Sequence, residues 1–240
     1  MKVLAIGNSF SQDATRYLHE IAKADGYDLT VVNLYIGGCS LSQHYENTQK
    51  DAKDYSLEFN GRATGFFVSI REALLANEWD YVTLQQVSHF SHKYESYQPY
   101  LNELAAYVRA LCQKSELLIH QTWAYEQGSA RLVEELGYRD QSEMYRDLAA
   151  AYEMAAKEIG AKGIIPSGAV FQELLKNGIK TVHRDTFHAT LGLGRYALGL
   201  LWYHVLTGRS VEENSFCDFD EPVSVEEMEI ARRVVWDIFV

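Results

Sequence analysis

Short apolar runs alternate with helix-period segments along this chain, and that alternation restricts the fold more than any other feature. Val3-Leu4-Ala5-Ile6, Leu29 to Tyr35, Tyr81-Val82-Thr83-Leu84, Leu117-Leu118-Ile119 and Gly163-Ile164-Ile165 each have the length and branching of a buried strand. Between them apolar residues recur at helical spacing, as in Leu101, Leu104, Ala105, Val108 and Leu111, or across Tyr145 to Ile159. Strand and helix repeated in this order predict a doubly wound α/β fold: a parallel sheet of about five strands, right-handed crossovers, and helices on both faces. Chemistry in such sheets sits at the carboxyl ends of the strands.

The remaining segments read less sharply. A small hairpin around Asn60-Gly61 suits Tyr55 to Val68, and residues 41–54 suit a loop or short helix. Residues 124–142 have no clear period, which points to a long excursion of the kind that carries binding loops. After the fifth strand come helices over Val170 to Lys176, over about Leu191 to Leu206, and around Val225, Met228, Ala231, Val234, Val235 and Ile238. Gly192, Gly194 and Gly199 in the second of these point to close packing against the sheet.

A length of 240 residues fits one large α/β domain over residues 1–240. A formal net charge of −11, with Lys and Arg scattered, argues against nucleic acid or an anionic membrane as partner. The longest apolar run, Tyr196 to Leu206, is too short to span a bilayer and is broken by Gly199 and His204. Polar Asn8, Ser9, Ser11, Gln12 and Asp13 end the first apolar run at once, so the start reads as a native cytoplasmic one and not as a signal peptide. Cys39, Cys112 and Cys217 lack disulfide or zinc spacing, and no histidine cluster has metal spacing; neither metal nor cofactor is expected.

Chemistry-bearing residues fall where the fold predicts a site. Gly7-Asn8-Ser9 ends the first strand and precedes a helix, so Ser9 is either a nucleophile or a helix cap; Ser11 or Asp13 could also cap that helix. Gly37-Gly38 ends the second strand, Gln85-Gln86 the third, and His120 the fourth. Beyond the fifth lie Asp185 and His188. Ester hydrolysis by serine needs a base, an orienter for that base and donors to a developing oxyanion. His188 is the candidate base, and Asp185, three residues earlier, the candidate orienter.

Gly7-Asn8-Ser9-Phe10-Ser11, Gly37-Gly38 and Asp185-Thr186-Phe187-His188 together resemble, in order, blocks of the SGNH (GDSL-type) hydrolase superfamily. The phrases Leu-Tyr-Ile-Gly-Gly-Cys-Ser-Leu, Thr-Leu-Gln-Gln and His-Gln-Thr-Trp-Ala-Tyr are similar to the bacterial DUF4886 type within it. The resemblance implies a flavodoxin-like three-layer α/β/α sandwich and a serine esterase or lipase mechanism. It further implies Ser9 as nucleophile, His188 as base, Asp185 as orienter, and an oxyanion hole from the Ser9 and Gly38 N–H groups plus one side-chain amide. The superfamily's Gly-x-Asn-Asp block has no counterpart after the third strand. Gln86 is the preferred replacement donor, Gln85 the second choice, and His89 the donor if the turn is longer.

Aromatic residues near the strand ends, Trp123 among them, suit stacking on a sugar, with His120 and His89 as further substrate-binding candidates. These features favour a serine esterase acting on a small acyl ester, an acetyl group above all and a carbohydrate ester in particular. The alternative is a non-catalytic flavodoxin-like protein holding a phosphate or small ligand at the Gly7 to Ser11 turn, which would have no need of Asp185 and His188.

Overall fold

The computed structural model describes residues 1–239. The chain runs through β1 (Lys2–Gly7), α1 (Ser9–Thr15), α2 (Leu18–Ala24), β2 (Thr30–Tyr35), α3 (Leu41–Lys50), β3 (Tyr55–Phe59), β4 (Arg62–Val68), α4 (Ile70–Leu75), β5 (Tyr81–Leu84) and α5 (Tyr100–Leu111). It continues through β6 (Glu116–Gln121), α6 (Gln141–Glu158), β7 (Gly163–Pro166), α7 (Ser167–Lys176), α8 (Leu193–Thr207) and α9 (Val225–Asp237). A 3-10 turn (Tyr94–Tyr97) precedes α5, and a single π turn (Arg131–Glu135) precedes α6.

The strands form one sheet in the order β4-β3-β2-β1-β5-β6-β7. The five expected strands are all present and mutually parallel, β2-β1-β5-β6-β7. The sheet is nevertheless wider than expected, because the β3–β4 hairpin adds two antiparallel strands beside β2. Its turn takes positive φ at both Asn60 (50°) and Gly61 (76°), the twist that a two-residue hairpin demands. The hairpin expected over Tyr55 to Val68 is thus present, and its outer strand β4 is an edge with little buried surface: Phe66 and Phe67 are exposed.

Helices α1, α2 and α8 pack on one side of the sheet, with α7 and α9 against α8; α3, α4 and α5 pack together, and α6 covers β6 and β7. β1 lies at the centre with Val3, Leu4, Ala5 and Ile6 wholly buried. α8 is buried on all sides, which explains its nearly continuous apolar sequence. Its glycines do not serve the sheet, contrary to expectation. A Cβ on Gly199 would lie 2.7 Å from the Ile21 side chain of α2, and Gly192 and Gly194 face the flanking loop segments.

The first helix is also interrupted. The single helix expected after the first strand divides into α1 and α2 at Arg16 and Tyr17, where the Tyr17 hydroxyl donates to the Leu191 carbonyl at 2.7 Å and Arg16 pairs with Asp220. Because β2 lies on one side of β1 and β5 on the other, the chain reverses its winding direction at β1. The crevice of such a sheet opens at this switch point, directly over Ser9.

Candidate active site

Asn8, and not Ser9, Ser11 or Asp13, caps α1. Its Oδ1 accepts from the Phe10 N–H at 3.0 Å and from the Gln85 side-chain amide at 2.9 Å, while its Nδ2 donates to the Cys39 carbonyl at 3.0 Å. One buried side chain therefore ties the Ser9 turn to the Gly37-Gly38-Cys39 turn. Ser11 is consumed beneath the site, donating towards the Asn8 carbonyl and Asn33. Relieved of capping, the Ser9 hydroxyl is directed outward.

His188 meets it there. Ser9 Oγ lies 2.8 Å from His188 Nε2, and His188 Nδ1 lies 2.7 Å from Asp185 Oδ2. A carboxylate can only accept, so Nδ1 carries the proton and Nε2 is free to accept from the serine hydroxyl. Asp185 Oδ1 also accepts from the His188 N–H at 2.8 Å. Partial burial works to raise the Asp185 pKa, but the hydrogen bonds from the His188 side chain and backbone outweigh it, and the net shift is downward.

The loop that carries this pair is held from several directions. Thr186 sits at φ 75°, a conformation that costs a β-branched residue on the order of 1–3 kcal/mol. Its carbonyl accepts from the Glu126 N–H, and the Phe187 carbonyl accepts from Trp123 Nε1 at 2.7 Å. On the other side, the fully buried Asp13 of α1 takes Arg184 at 2.9 Å, Arg195 at 2.8 Å and the Ala189 N–H at 3.1 Å. Asp13 stands one helical turn beyond Ser9, so this ion-pair cluster fixes the distance between the serine and the histidine loop. Its partners are some 170 residues away in sequence, and no local pattern announces them.

Gly38 takes φ 65° in the turn closed by the Cys39 N–H and Ile36 carbonyl. Neither the Gly38 nor the Ser9 N–H makes a hydrogen bond among the described residues, and both residues line one cavity. The expected glutamine donors are placed otherwise. Gln86 uses its Oε1 on the Leu41 and Val87 N–H groups at 3.0 and 2.9 Å, and its Nε2 on the Ser96 carbonyl and hydroxyl at 2.9 and 3.1 Å. With both amide hydrogens spent away from the cavity, it has none for an oxyanion. Gln85 is likewise buried: its amide holds Asn8 and its Oε1 accepts from His120 Nδ1 at 3.0 Å.

His120 and Trp123 do not reach the cavity either. His120 is fully buried, with Nε2 3.1 Å from the Ser167 hydroxyl, and burial holds its pKa down to about 3. Ser167, His120, Gln85, Asn8 and the Cys39 carbonyl thus form a hydrogen-bonded chain behind the serine. Trp123 stacks on Phe10 with ring centroids 4.2 Å apart and supports the histidine loop from below. Of the expected substrate-binding residues only His89 lines the cavity; burial, and secondarily the charge of Arg131, lower its pKa.

The cavity itself has a volume of about 410 Å³ and opens at the carboxyl ends of β1, β2 and β5. Ser9, Gly38 and His188 share it with the aromatic rings of Tyr35, Tyr125 and Phe187 and with Arg131 and Arg184. Neither arginine was legible as a site residue: Arg131 lies in the aperiodic 124–142 excursion, and Arg184 precedes the Asp-x-x-His spacing without being part of it. Among the described residues no three His, Cys, Asp or Glu side chains converge as a metal site, and no helix is long and apolar enough to cross a membrane.

This mostly parallel sheet with helices on both faces has the SGNH hydrolase fold. A protein from Slackia heliotrinireducens provisionally assigned as an SGNH hydrolase superposes with a TM-score of 0.62 at 22% identity, over 86% of this chain and 98% of its own. The acetyl xylan esterase AlAXEase shares the fold with a TM-score of 0.53 at 15% identity, over 86% of this chain and all of its own. Within that fold the chain belongs to the DUF4886 family, a domain of unknown function that residues 2–238 match. A DUF4886 family protein from Bacteroides uniformis is 35% identical, with a TM-score of 0.92 over 100% of this chain and 94% of its own. No curated protein matches the chain.

Proposed function

We propose that the protein is a serine esterase acting on short acyl esters, acetyl esters above all. The observation that carries this reading is the unbroken relay from Asp185 through His188 to Ser9, at 2.7 and 2.8 Å, opening onto the cavity. Ser9 Oγ attacks the ester carbonyl carbon as its proton passes to His188 Nε2, and Asp185 steadies the resulting imidazolium. The tetrahedral oxyanion forms against the unclaimed Ser9 and Gly38 N–H groups. Collapse breaks the bond to the alcohol, which leaves with the proton from His188. A water deprotonated by the same histidine then attacks the acyl-serine, and Ser9 regains its proton as the carboxylic acid departs.

For a third oxyanion donor the reading turns to His89, the remaining candidate that lines the cavity. Its lowered pKa keeps the ring neutral and able to donate one N–H. A short acyl group suits the cavity's size and its mixture of glycine, polar and aromatic lining; the acetyl ester substrate named for one fold relative agrees with that choice. A carbohydrate alcohol is the proposed leaving group, stacked on Tyr35. A phosphate-holding role for the Gly7 to Ser11 turn leaves the Asp185–His188 pair without purpose.

Turnover of p-nitrophenyl acetate tests the reading. Ser9→Ala and His188→Ala should each lower kcat by at least about 10³-fold. A fluorophosphonate should label Ser9 in the wild type. Equal rates in all three proteins, or labelling confined to another residue, would remove the esterase assignment.

A further inference from the structure

Arg131 is left over once the relay and its supports are accounted for. The other cavity arginine, Arg184, is held on both Asp13 carboxylate oxygens and also donates to the Ala189 carbonyl. Arg131 is tied far more loosely. Its guanidinium stands 4.1 Å over the Phe187 ring, and its charge and a side-chain hydrogen bond help to lower the Tyr125 pKa against the larger upward effect of burial; most of its five N–H donors stay unused among the described residues. Its one ion-pair partner among the described residues, Glu135, is 3.9 Å away across one turn, with both side chains substantially exposed. A pair of that kind contributes little, and so does an exposed cation–π contact.

Position gives these free donors their meaning. Phe187, under the guanidinium, is itself packed on the His188 ring with centroids 3.8 Å apart, so Arg131, Phe187 and His188 form one stack at the cavity wall. The chain carries 33 Asp and Glu and a net charge of −11, yet no carboxylate lines this cavity. Asp185 is turned to His188, and Glu135 stands beside Arg131 without lining the cavity. A water-accessible pocket with a fixed cation and no anion attracts a negatively charged substrate group, and a guanidinium presents the planar fork that matches a carboxylate.

We propose that Arg131 makes this site selective for esters that carry a carboxylate near the scissile bond, either on the alcohol, as in an acylated acidic sugar, or on the acyl group, as in a dicarboxylic half-ester. The proposal rests on the Ser9 esterase reading and adds the charge of the substrate to it. Arg131 acts as a specificity-determining residue; it binds the remote carboxylate and takes no part in proton transfer.

Two matched substrate pairs distinguish the sources. p-Acetoxybenzoate against p-acetoxybenzamide places the charge on the alcohol, and mono-p-nitrophenyl succinate against p-nitrophenyl valerate places it on the acyl group. In Arg131→Gln the ratio of kcat/KM for the charged over the neutral ester should fall about 10- to 100-fold in one pair, mainly through KM, as expected for a lost charge-assisted hydrogen bond. Arg131→Lys should recover part of it. High salt should depress the wild-type rate on the charged member more than on the neutral one, a measurement that needs no variant. Ratios unchanged by both substitution and salt would overturn the proposal. Neutral-ester turnover that survives Ser9→Ala would instead show that the underlying esterase reading had failed.

Discussion

Asn8 is the residue on which most of the site converges. It caps α1, holds the Gly38 turn through the Cys39 carbonyl, and receives the chain that runs from Ser167 through His120 and Gln85. Asn8→Ala should therefore act on stability and rate together. Loss of the cap and of a buried bridge should cost about 1–3 kcal/mol in urea unfolding. Release of the Gly38 turn should slow fluorophosphonate labelling of Ser9 by more than about tenfold at saturating folded fraction. Unaltered labelling would mean that the two turns hold their relation without it. The sequence displays Asn8 plainly beside Ser9, but its partners, Gln85 and Cys39, are 77 and 31 residues away. Ser9, Asp185 and His188 were legible as candidates because each belongs to a short motif, the first at a strand end and the other two in an Asp-x-x-His spacing. Asp13 and Arg131 were not, because a charged residue on a helix or loop looks alike whether solvent or a remote partner receives it.

At the scale of elements, Gln86 shows how a strand-end polar residue can serve the scaffold. Its amide clamps the N-terminus of α3, the end of β5 and the 3-10 turn at Tyr94–Tyr97, through Leu41, Val87 and Ser96. Gln86→Ala leaves two buried backbone N–H groups without acceptors and should destabilise the protein by roughly 2–4 kcal/mol in urea unfolding. The labelling rate of Ser9 in the folded fraction should change by less than about tenfold. An oxyanion donor would instead cost about 10²–10³-fold in rate, so a loss of that size with little change in stability would restore the catalytic role for Gln86. Element positions were read well where periodicity is strong: the helical spacing of Leu101, Leu104, Ala105, Val108 and Leu111 is realised in α5, Tyr100–Leu111. They were read poorly where neighbours override local pattern, as in the division of α1 from α2.

The whole molecule carries a pH dependence independent of the relay. Burial pushes the imidazoles of His44 and His120 down to about 3 and that of His183 down to about 4. In the unfolded chain the same groups take up protons below about pH 6.5. Their contribution to stability is therefore complete above that pH and is lost as pH falls towards the native values, at about 1.4 kcal/mol per pH unit for each histidine and up to about 4 for the three. Urea midpoints should fall steeply between about pH 6 and 4, and His44→Gln should reduce that slope by about a third of the histidine contribution. A midpoint independent of pH over this window would show that these rings are accessible to protons in the native state.

By itself the sequence determined the parallel core of the sheet and brought Ser9, Asp185 and His188 forward as candidates, because strand and helix periods and short motifs are local properties of the chain; the strand order and its switch point came only with the fold. Only the tertiary structure decided which polar side chains face the cavity and which are buried behind it. Gln86, Gln85, His120 and Trp123 stand at the same strand ends as the site residues, yet each turns to partners supplied by remote elements. A buried polar group must satisfy its hydrogen bonds wherever the fold brings a partner, and that pairing is settled across dozens of residues of separation.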